Sequence, residues 1–191
     1  MRRLRTVALL AALLLASGCG AGTPPTPPAP AAPAPAAPAP TGSALSGLDV
    51  VFLTTMAAHT EQTLEMVRLG RDRVTDRKLR TLVAAIEVTE SDELATMRGW
   101  LREAGPAGTA HRHDHDHGTA GDLARLRTAP DGEVDHVLLD VLGAHQGAAA
   151  DLARAHLAVG SDPRVRDLAG RVERSRTAEV SLLAGLAAAR R

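Results

Sequence analysis

Apolar residues recur every three or four positions along four long stretches of this chain. That spacing is typical of an α-helix that buries one face and exposes the other. It predicts helices over about residues 48–70, 76–103, 132–159 and 163–189, with a short connection inside each pair and a longer one between the pairs. The chain is therefore predicted to form one all-α domain over residues 48–191.

Local signals mark the ends of these helices. Thr75 or Asp76 is expected to cap the second helix, because its side-chain oxygen can accept a free backbone N–H. Gly105, followed by proline, is expected to stop that helix. Gly160 is expected to end the third helix in the left-handed conformation. Asp162, also followed by proline, is a suitable cap for the last helix.

The second pair of helices repeats the first. Shifting the chain by 86 positions places residues 49–59 over 135–145 without a gap, and Glu93 then meets Glu179. This register predicts a duplicated helical hairpin. Two hairpins that are each apolar on one side bury those sides by packing together, so the expected architecture is a four-helix bundle.

Composition agrees with a helical fold. The chain has one Phe, one Trp and no Tyr, and its 22 Lys and Arg balance its 22 Asp and Glu. Few aromatic residues and many Ala, Leu and Arg favour helices over strands. The interspersed charges give no sign of a nucleic-acid-binding surface, so no nucleic-acid partner is expected.

The N-terminus predicts export and a lipid anchor. Residues 1–18 contain three arginines, an apolar run and then small residues before Cys19. This is the order of a signal peptide that is too short to remain as a membrane span. The Ser-Gly-Cys ending resembles a bacterial lipobox, which implies acylation of Cys19 and attachment to the cell membrane from outside the cytoplasm. An ordinary signal peptide followed by an incidental cysteine is the alternative.

Residues 19–47 are predicted to be a spacer behind the lipidated cysteine. Most of the 12 prolines lie between Pro24 and Pro40, among alanine and threonine. Such a composition favours extended polyproline conformations that bury little surface. A proline-rich ligand for a partner protein is the alternative. Because Cys19 is the only cysteine, the exported domain is expected to fold without an internal disulfide.

Ionisable residues fall on the faces that are predicted to be buried. His59 and Glu93 in the first hairpin correspond to His145 and Glu179 in the second. A buried carboxylate needs a counter-charge, hydrogen bonds or a metal ion. Four-helix bundles build metal sites from inward His and Glu, so both pairs are candidate metal ligands.

Two methionines extend the candidate site in the first hairpin. Met56 precedes His59 by three residues and Met97 follows Glu93 by four. Imidazole and carboxylate suit zinc, copper or iron, and thioether sulfur shifts the preference toward cuprous copper. In the second hairpin, leucines replace both methionines. The alternative is that the His–Glu pairs are buried ion pairs that fix helix register, with methionine as core filler.

The segments 52–60 and 93–101 together resemble the ferritin-like family catalogued as domain of unknown function 305. In that family a helix with Met-x-x-His-His precedes one with Gln-x-x-Glu-x-x-x-Met, and the unit is duplicated. The resemblance covers residue 48 to the C-terminus and implies a ferritin-like bundle, export and, in some members, copper binding. This chain departs from the pattern at four positions: Thr60 and Gln146 replace the second His, and Glu90 and Arg176 replace the Gln.

A histidine tract lies in the connection between the hairpins, within residues 106–121. His111, His113, His115 and His117 alternate with charged residues, which predicts a solvated loop. Neutral imidazoles offer accessible nitrogens near neutral pH. Flexible spacing suits copper(II), nickel or zinc, with the tract's two aspartates as further oxygen ligands. A polar linker that binds no metal is the alternative.

These observations predict a surface lipoprotein that captures or buffers copper or zinc. The alternative is a structural or partner-binding bundle that has buried ion pairs and no physiological metal. No helix shows the inward Glu-x-x-His spacing of di-iron enzymes. No nucleophile–base set and no phosphate-binding loop is recognisable, so enzymatic activity is not expected.

Overall fold

A computed structural model describes residues 45–105 and 119–190, and it contains helices but no strands in those two ranges. The elements in chain order are α1 (Gly47–Gly70), α2 (Arg77–Glu103), α3 (Thr119–Thr128), α4 (Val134–Val159) and α5 (Pro163–Ala188). A short 3-10 turn, Asp131–Glu133, precedes α4. The all-α prediction is confirmed, and the four predicted helices begin and end within about two residues of the expected positions.

Several predicted features lie outside the described residues. These are the signal peptide, Cys19, nearly all of the spacer and the whole histidine tract. None of the helices in the described part of the chain is both long enough and apolar enough to cross a membrane.

The four long helices form two antiparallel hairpins. Residues 71–76 join α1 to α2, and residues 160–162 join α4 to α5. The hairpins pack together mainly through α1 and α4, while α2 contacts α5. The ends of the helices are capped as the sequence predicts: the side chains of Asp76 and Asp162 accept backbone N–H groups of the first turns of α2 and α5.

The repeat is visible as two reciprocal clamps at opposite ends of the bundle. Asp135, in the second hairpin, accepts the backbone N–H groups of Thr75 (2.9 Å) and Asp76 (3.0 Å) in the first. Asp49, in the first hairpin, accepts the N–H groups of Ser161 (3.2 Å) and Asp162 (3.1 Å) in the second. All three pairs of equivalent residues differ by the same 86 positions. Each hairpin therefore holds the turn of the other.

The apolar core forms two clusters along the bundle axis. One lies toward the 71–76 turn and the other toward the 160–162 turn. The first cluster includes Met66, Val83, Ile86, Leu138, Leu142 and Leu183. The second includes Phe52, Leu53, Met56, Met97, Leu168 and Val172. Between them, in the middle of every long helix, the buried side chains are polar or charged.

Helix α3 was not predicted, because its residues 119–121 were expected to belong to the loop. Leu123 and Leu126 of this short helix are buried in the first apolar cluster. The guanidinium of Arg73 donates to the backbone carbonyls of Leu126 (3.0 Å) and Ala129 near the C-terminal end of α3. Tertiary contacts therefore fix a helix that is too short to be stable alone.

Gly160 corrects a second expectation. Its φ is −64° and its ψ is 144°, so it is extended and not left-handed. The reason for glycine is a close approach: a Cβ atom at this position would lie 2.3 Å from Nε2 of His156. That imidazole stacks on Phe52 with ring centroids 4.1 Å apart, and its Nε2 lies 3.2 Å from Oδ1 of Asp49.

Candidate functional site

The mid-bundle band of buried or half-buried polar side chains is the candidate site, and we call it the polar layer. All four long helices contribute to it. Its members are His59, Thr60 and Thr63 of α1, Glu90 and Glu93 of α2, His145 and Gln146 of α4, and Arg176 and Glu179 of α5. Seven of these nine are buried, and the two histidines are half-buried.

Arg176 is the centre of the polar layer. Its guanidinium donates to Glu93 Oε2 and, at 3.3 Å, to Glu179 Oε1. Its Nε lies 3.5 Å from Oε1 of Glu90. The side chain is only 1% exposed, so these contacts form out of reach of water. One guanidinium therefore serves three carboxylates that come from α2 and α5.

Gln146 links two of the same carboxylates from the side of α4. Its Nε2 donates to Glu90 Oε1 and to Glu179 Oε2, each at 2.7 Å. Its Oε1 is buried and has no hydrogen-bond partner among the described residues. The amide thus uses its two donors on carboxylates and leaves its acceptor free.

The polar layer has more negative than positive charge. If all three glutamates were ionised, Arg176 would neutralise only one of them. Burial raises the pKa of Glu90 to about 7, in spite of the opposing effect of Arg176, and burial also raises the pKa of Glu179. Burial alone would lower the pKa of Arg176. The three carboxylates together have a larger effect and raise the pKa of the guanidinium above its usual value.

The two histidines meet each other and not the glutamates. The rings of His59 and His145 stack with centroids 3.7 Å apart at an interplanar angle of 26°. Nε2 of His145 lies 3.1 Å from the backbone carbonyl of His59, and since a carbonyl only accepts, that nitrogen is the donor. His59 and His145 are equivalent residues of the repeat, so the stack joins the same position of the two hairpins.

Both imidazoles are held in the neutral form. Burial, followed by the positive charges of His145 and Arg176, lowers the pKa of His59 to about 3. Burial also lowers the pKa of His145. Neutral imidazoles are potential metal ligands, but one nitrogen of His145 is already engaged by the carbonyl.

The expected His59–Glu93 and His145–Glu179 pairings are therefore not formed. In the described part of the chain, no carboxylate oxygen lies within 4 Å of a ring nitrogen of His59 or His145. The carboxylates of Glu93 and Glu179 pair with Arg176 instead. A guanidinium with five donors satisfies carboxylates better than a neutral imidazole does. The alternative prediction of two buried His–Glu ion pairs is wrong for the same reason.

Met56 and Met97 are both buried, as predicted, but they belong to the apolar cluster next to the polar layer. No group of three or more His, Cys, Asp or Glu side chains in residues 45–105 and 119–190 is arranged to hold a metal ion. The positively charged Arg176 lies among the carboxylates that a metal would need. As they stand, the residues of the polar layer do not fit the metal that the family resemblance implies.

The sequence pattern missed two central members of the polar layer. Steps of four residues back from Glu93 and Glu179 lead to Thr89 and Ser175, but Thr89 is exposed and Ser175 is half-buried. The neighbouring Glu90 and Arg176 are the buried residues. These two are equivalent in the repeat, since they differ by 86 positions. An acidic residue in one hairpin and a basic residue at the equivalent position of the other could have indicated that the two side chains pair.

Replacing Glu90 with glutamine is expected to make stability less dependent on pH. The raised folded-state pKa of Glu90 means that its protonated form stabilises the fold below pH 4.5, and that this contribution is lost as pH rises to about 7. Between pH 5 and pH 8 the free energy of unfolding of the wild type should fall, relative to that of E90Q, by on the order of 1–3 kcal/mol. Urea unfolding at the two pH values measures the difference.

The exposed Glu103 provides the matched control for this prediction. E103Q should follow the wild-type pH dependence. Since His59 is present in all three proteins, its opposite contribution, which is lost as pH falls from 6.5 toward 3, cancels in the comparison. Parallel stability curves for E90Q and the wild type would show that Glu90 does not retain its proton in the folded state.

Fold and site together define an all-helical bundle of two repeated hairpins with a polar layer at its centre. The chain belongs to the family DUF305, a domain of unknown function, whose sequence model matches residues 49–187. The family resemblance predicted from the sequence is thereby confirmed.

Solved structures share this fold. A DUF305 fragment from Deinococcus radiodurans has 20% identity and a TM-score of 0.67, and covers 75% of this chain and 97% of its own. The "putative secreted protein DUF305 from Streptomyces coelicolor" has 23% identity and a TM-score of 0.65, with 75% and 93% covered. CopM in its Cu(II)-bound form has 20% identity and a TM-score of 0.65, with 75% and 97% covered. A search of curated proteins finds no significant match.

Proposed function

We propose that this protein is an exported, lipid-anchored protein that captures copper or zinc with its histidine tract, and that the bundle is the scaffold that carries the tract. The observation that carries the proposal is the concentration of four histidines in seven residues, His111 to His117, between the two hairpins. The candidate ligands inside the bundle are engaged elsewhere: Glu93 and Glu179 pair with Arg176. The proposal therefore rests on the four imidazoles of the tract and not on the side chains of the bundle. We propose binding, and not turnover, as its role.

The described topology supports this division of roles. Helix α1 begins and α2 ends at the same end of the first hairpin, where Leu45 and Trp100 pack against one apolar cluster. The chain thus leaves the described fold toward the spacer and toward the tract from one end of the bundle. Both attachment points therefore lie at an end of the bundle and not at the polar layer in its middle.

A relative of the same fold supports metal as the ligand. CopM, which matches 75% of this chain, was solved in a Cu(II)-bound form. Imidazole nitrogens are good ligands for copper(II) and zinc, and both ions are therefore the appropriate probes.

Replacing the four tract histidines with alanine is expected to weaken copper(II) and zinc binding by at least about tenfold, which corresponds to about 1.4 kcal/mol. Competition of the full chain with a chromophoric chelator measures the affinity. The exposed His136 of α4 is the matched control, and H136A should bind like the wild type. Equal affinities for the wild type and the four-alanine variant would remove the tract from the proposal.

The lipid anchor is tested separately. Acylation requires the thiol of Cys19, so C19S should lose incorporation of labelled palmitate and no longer sediment with membranes. A C19S protein that still carries the label, or that remains in the membrane fraction, would contradict the anchor and leave the metal proposal untouched.

A metal-free structural or partner-binding bundle is the second candidate, and the Arg176 network favours it. An ion that binds the folded state raises apparent stability with its concentration. If neither copper(II) nor zinc binds the full chain or shifts its unfolding midpoint, the structural function is the correct one.

A further inference from the structure

Three carboxylates and one amide meet in the middle of the bundle around a single positive group. Glu90 and Glu93 extend from α2, Glu179 from α5 and Gln146 from α4, and the guanidinium of Arg176 lies among them. Gln146, Arg176 and Glu90 are the most deeply enclosed of the five, at 0%, 1% and 1% exposure. The arrangement is that of an oxygen-lined cation site in which the cation is a side chain.

A second feature is a buried acceptor of the same polar layer that the guanidinium leaves unused. Oε1 of Gln146 is fully buried and has no hydrogen-bond partner in the described structure. A buried acceptor without a partner costs about 1–3 kcal/mol. Arg176 directs its donors to the three glutamates and leaves this oxygen without a donor among the described residues.

We infer that Arg176 occupies the cation position of a carboxylate site and thereby keeps divalent metal ions out of the bundle. Carboxylate oxygens are ligands for Mn²⁺ and also for Zn²⁺. A divalent ion carries twice the charge of the guanidinium and would balance the polar layer more closely. With Arg176 present, the ion would have to enter beside a fixed positive charge at short distance in a low-dielectric core, which is strongly unfavourable.

The repeat explains how the site came to hold its own cation. Glu90 and Arg176 are equivalent positions, so one hairpin supplies a carboxylate where the other supplies a guanidinium. Two glutamates at these positions would give four carboxylates and no counter-charge. With arginine at one of them, the pair is complementary and the guanidinium supplies the counter-charge.

The test uses the full chain with the four tract histidines replaced by alanine, so that binding at the tract cannot contribute. In this background R176Q removes the charge and keeps an amide of similar length, R176K keeps the charge, and R174Q changes an exposed arginine of the same helix. Each protein is dialysed against Mn²⁺ or Zn²⁺ and analysed for bound metal, and its thermal unfolding is followed with and without the ion.

R176Q is expected to bind one ion per chain at least about tenfold more tightly than R174Q or R176K, and to be stabilised by the metal. If R176Q is unfolded without metal, Mn²⁺ or Zn²⁺ should restore its helical circular dichroism. The inference is overturned if R176Q binds no more metal than R174Q, or remains unfolded with metal. It is also overturned if the protein that retains Arg176 binds an ion which is lost on replacing Glu93. Because the tract histidines are absent throughout, these outcomes leave metal capture by the tract to its own test.

Discussion

Replacing Arg176 with alanine is expected to lower the free energy of unfolding at pH 8 by about 3–5 kcal/mol, the usual cost of removing one partner of a buried ion pair. Glu90, Glu93 and Glu179 all lose their counter-charge in this variant, and water cannot replace it because Arg176 is 1% exposed. Most domains have only about 5–15 kcal/mol of total stability, so R176A should be close to unfolding. Urea unfolding followed by circular dichroism measures the loss.

Acid should reduce the effect of R176A. Burial already raises the pKa of Glu90 to about 7 and also raises the pKa of Glu179, so at pH 5 these two carboxylates can take up protons. The loss should therefore be smaller at pH 5 than at pH 8. The exposed Arg174 is the control, since R174A should change stability by no more than about 0.5 kcal/mol. A loss for R176A as small as that for R174A would mean that the three carboxylates do not depend on the guanidinium.

Replacing Asp49 with alanine is expected to cost about 3–5 kcal/mol, because one carboxylate holds the end of the bundle together. It accepts the backbone N–H groups of Ser161 and Asp162 and the hydroxyl of Ser161 at 2.9 Å, and it lies 3.2 Å from the buried His156. Hydrogen bonds from several donors outweigh burial and hold the pKa of Asp49 below its usual value. Alanine would leave these donors buried without a partner.

The equivalent clamp gives an internal check on this prediction. Asp135 accepts N–H groups of Thr75 and Asp76 in the same way at the other end of the bundle, so D135A should be similarly destabilised. Because the two clamps are distant, the losses should add in the double variant. The exposed Asp92 is the control. A D49A protein as stable as D92A would show that the clamp does not hold the turn.

The helices could be predicted because several local signals agree. The apolar period gave their number, and the caps at Asp76 and Asp162 marked where two of them begin. Helix α3 could not be predicted in this way, since its position depends on Arg73 and on apolar residues of other helices. Gly160 was predicted to be left-handed, but it is extended. Glycine stands there because a side chain would collide with the ring of His156, which the local sequence does not show.

The polar layer was predicted only in part. The inward positions of Glu93, Glu179 and the two histidines follow from helical spacing. At the preceding turn, however, steps of three and four residues lead to different side chains, and the spacing does not decide that residues 90 and 176 are buried instead of residues 89 and 175. Which residues of the polar layer pair depends on the side chains that the opposite hairpin brings into contact. The residue pattern of a single helix carries no such information.

Crystals of the full chain grown with zinc, examined for anomalous scattering, test the central claim most directly. The claim is that Arg176 fills the position among Glu90, Glu93 and Glu179, so that metal binds at the tract. The predicted result is no anomalous peak among Glu90, Glu93 and Glu179, with the guanidinium between them. A zinc peak bounded by these carboxylates, with Arg176 displaced, would contradict it.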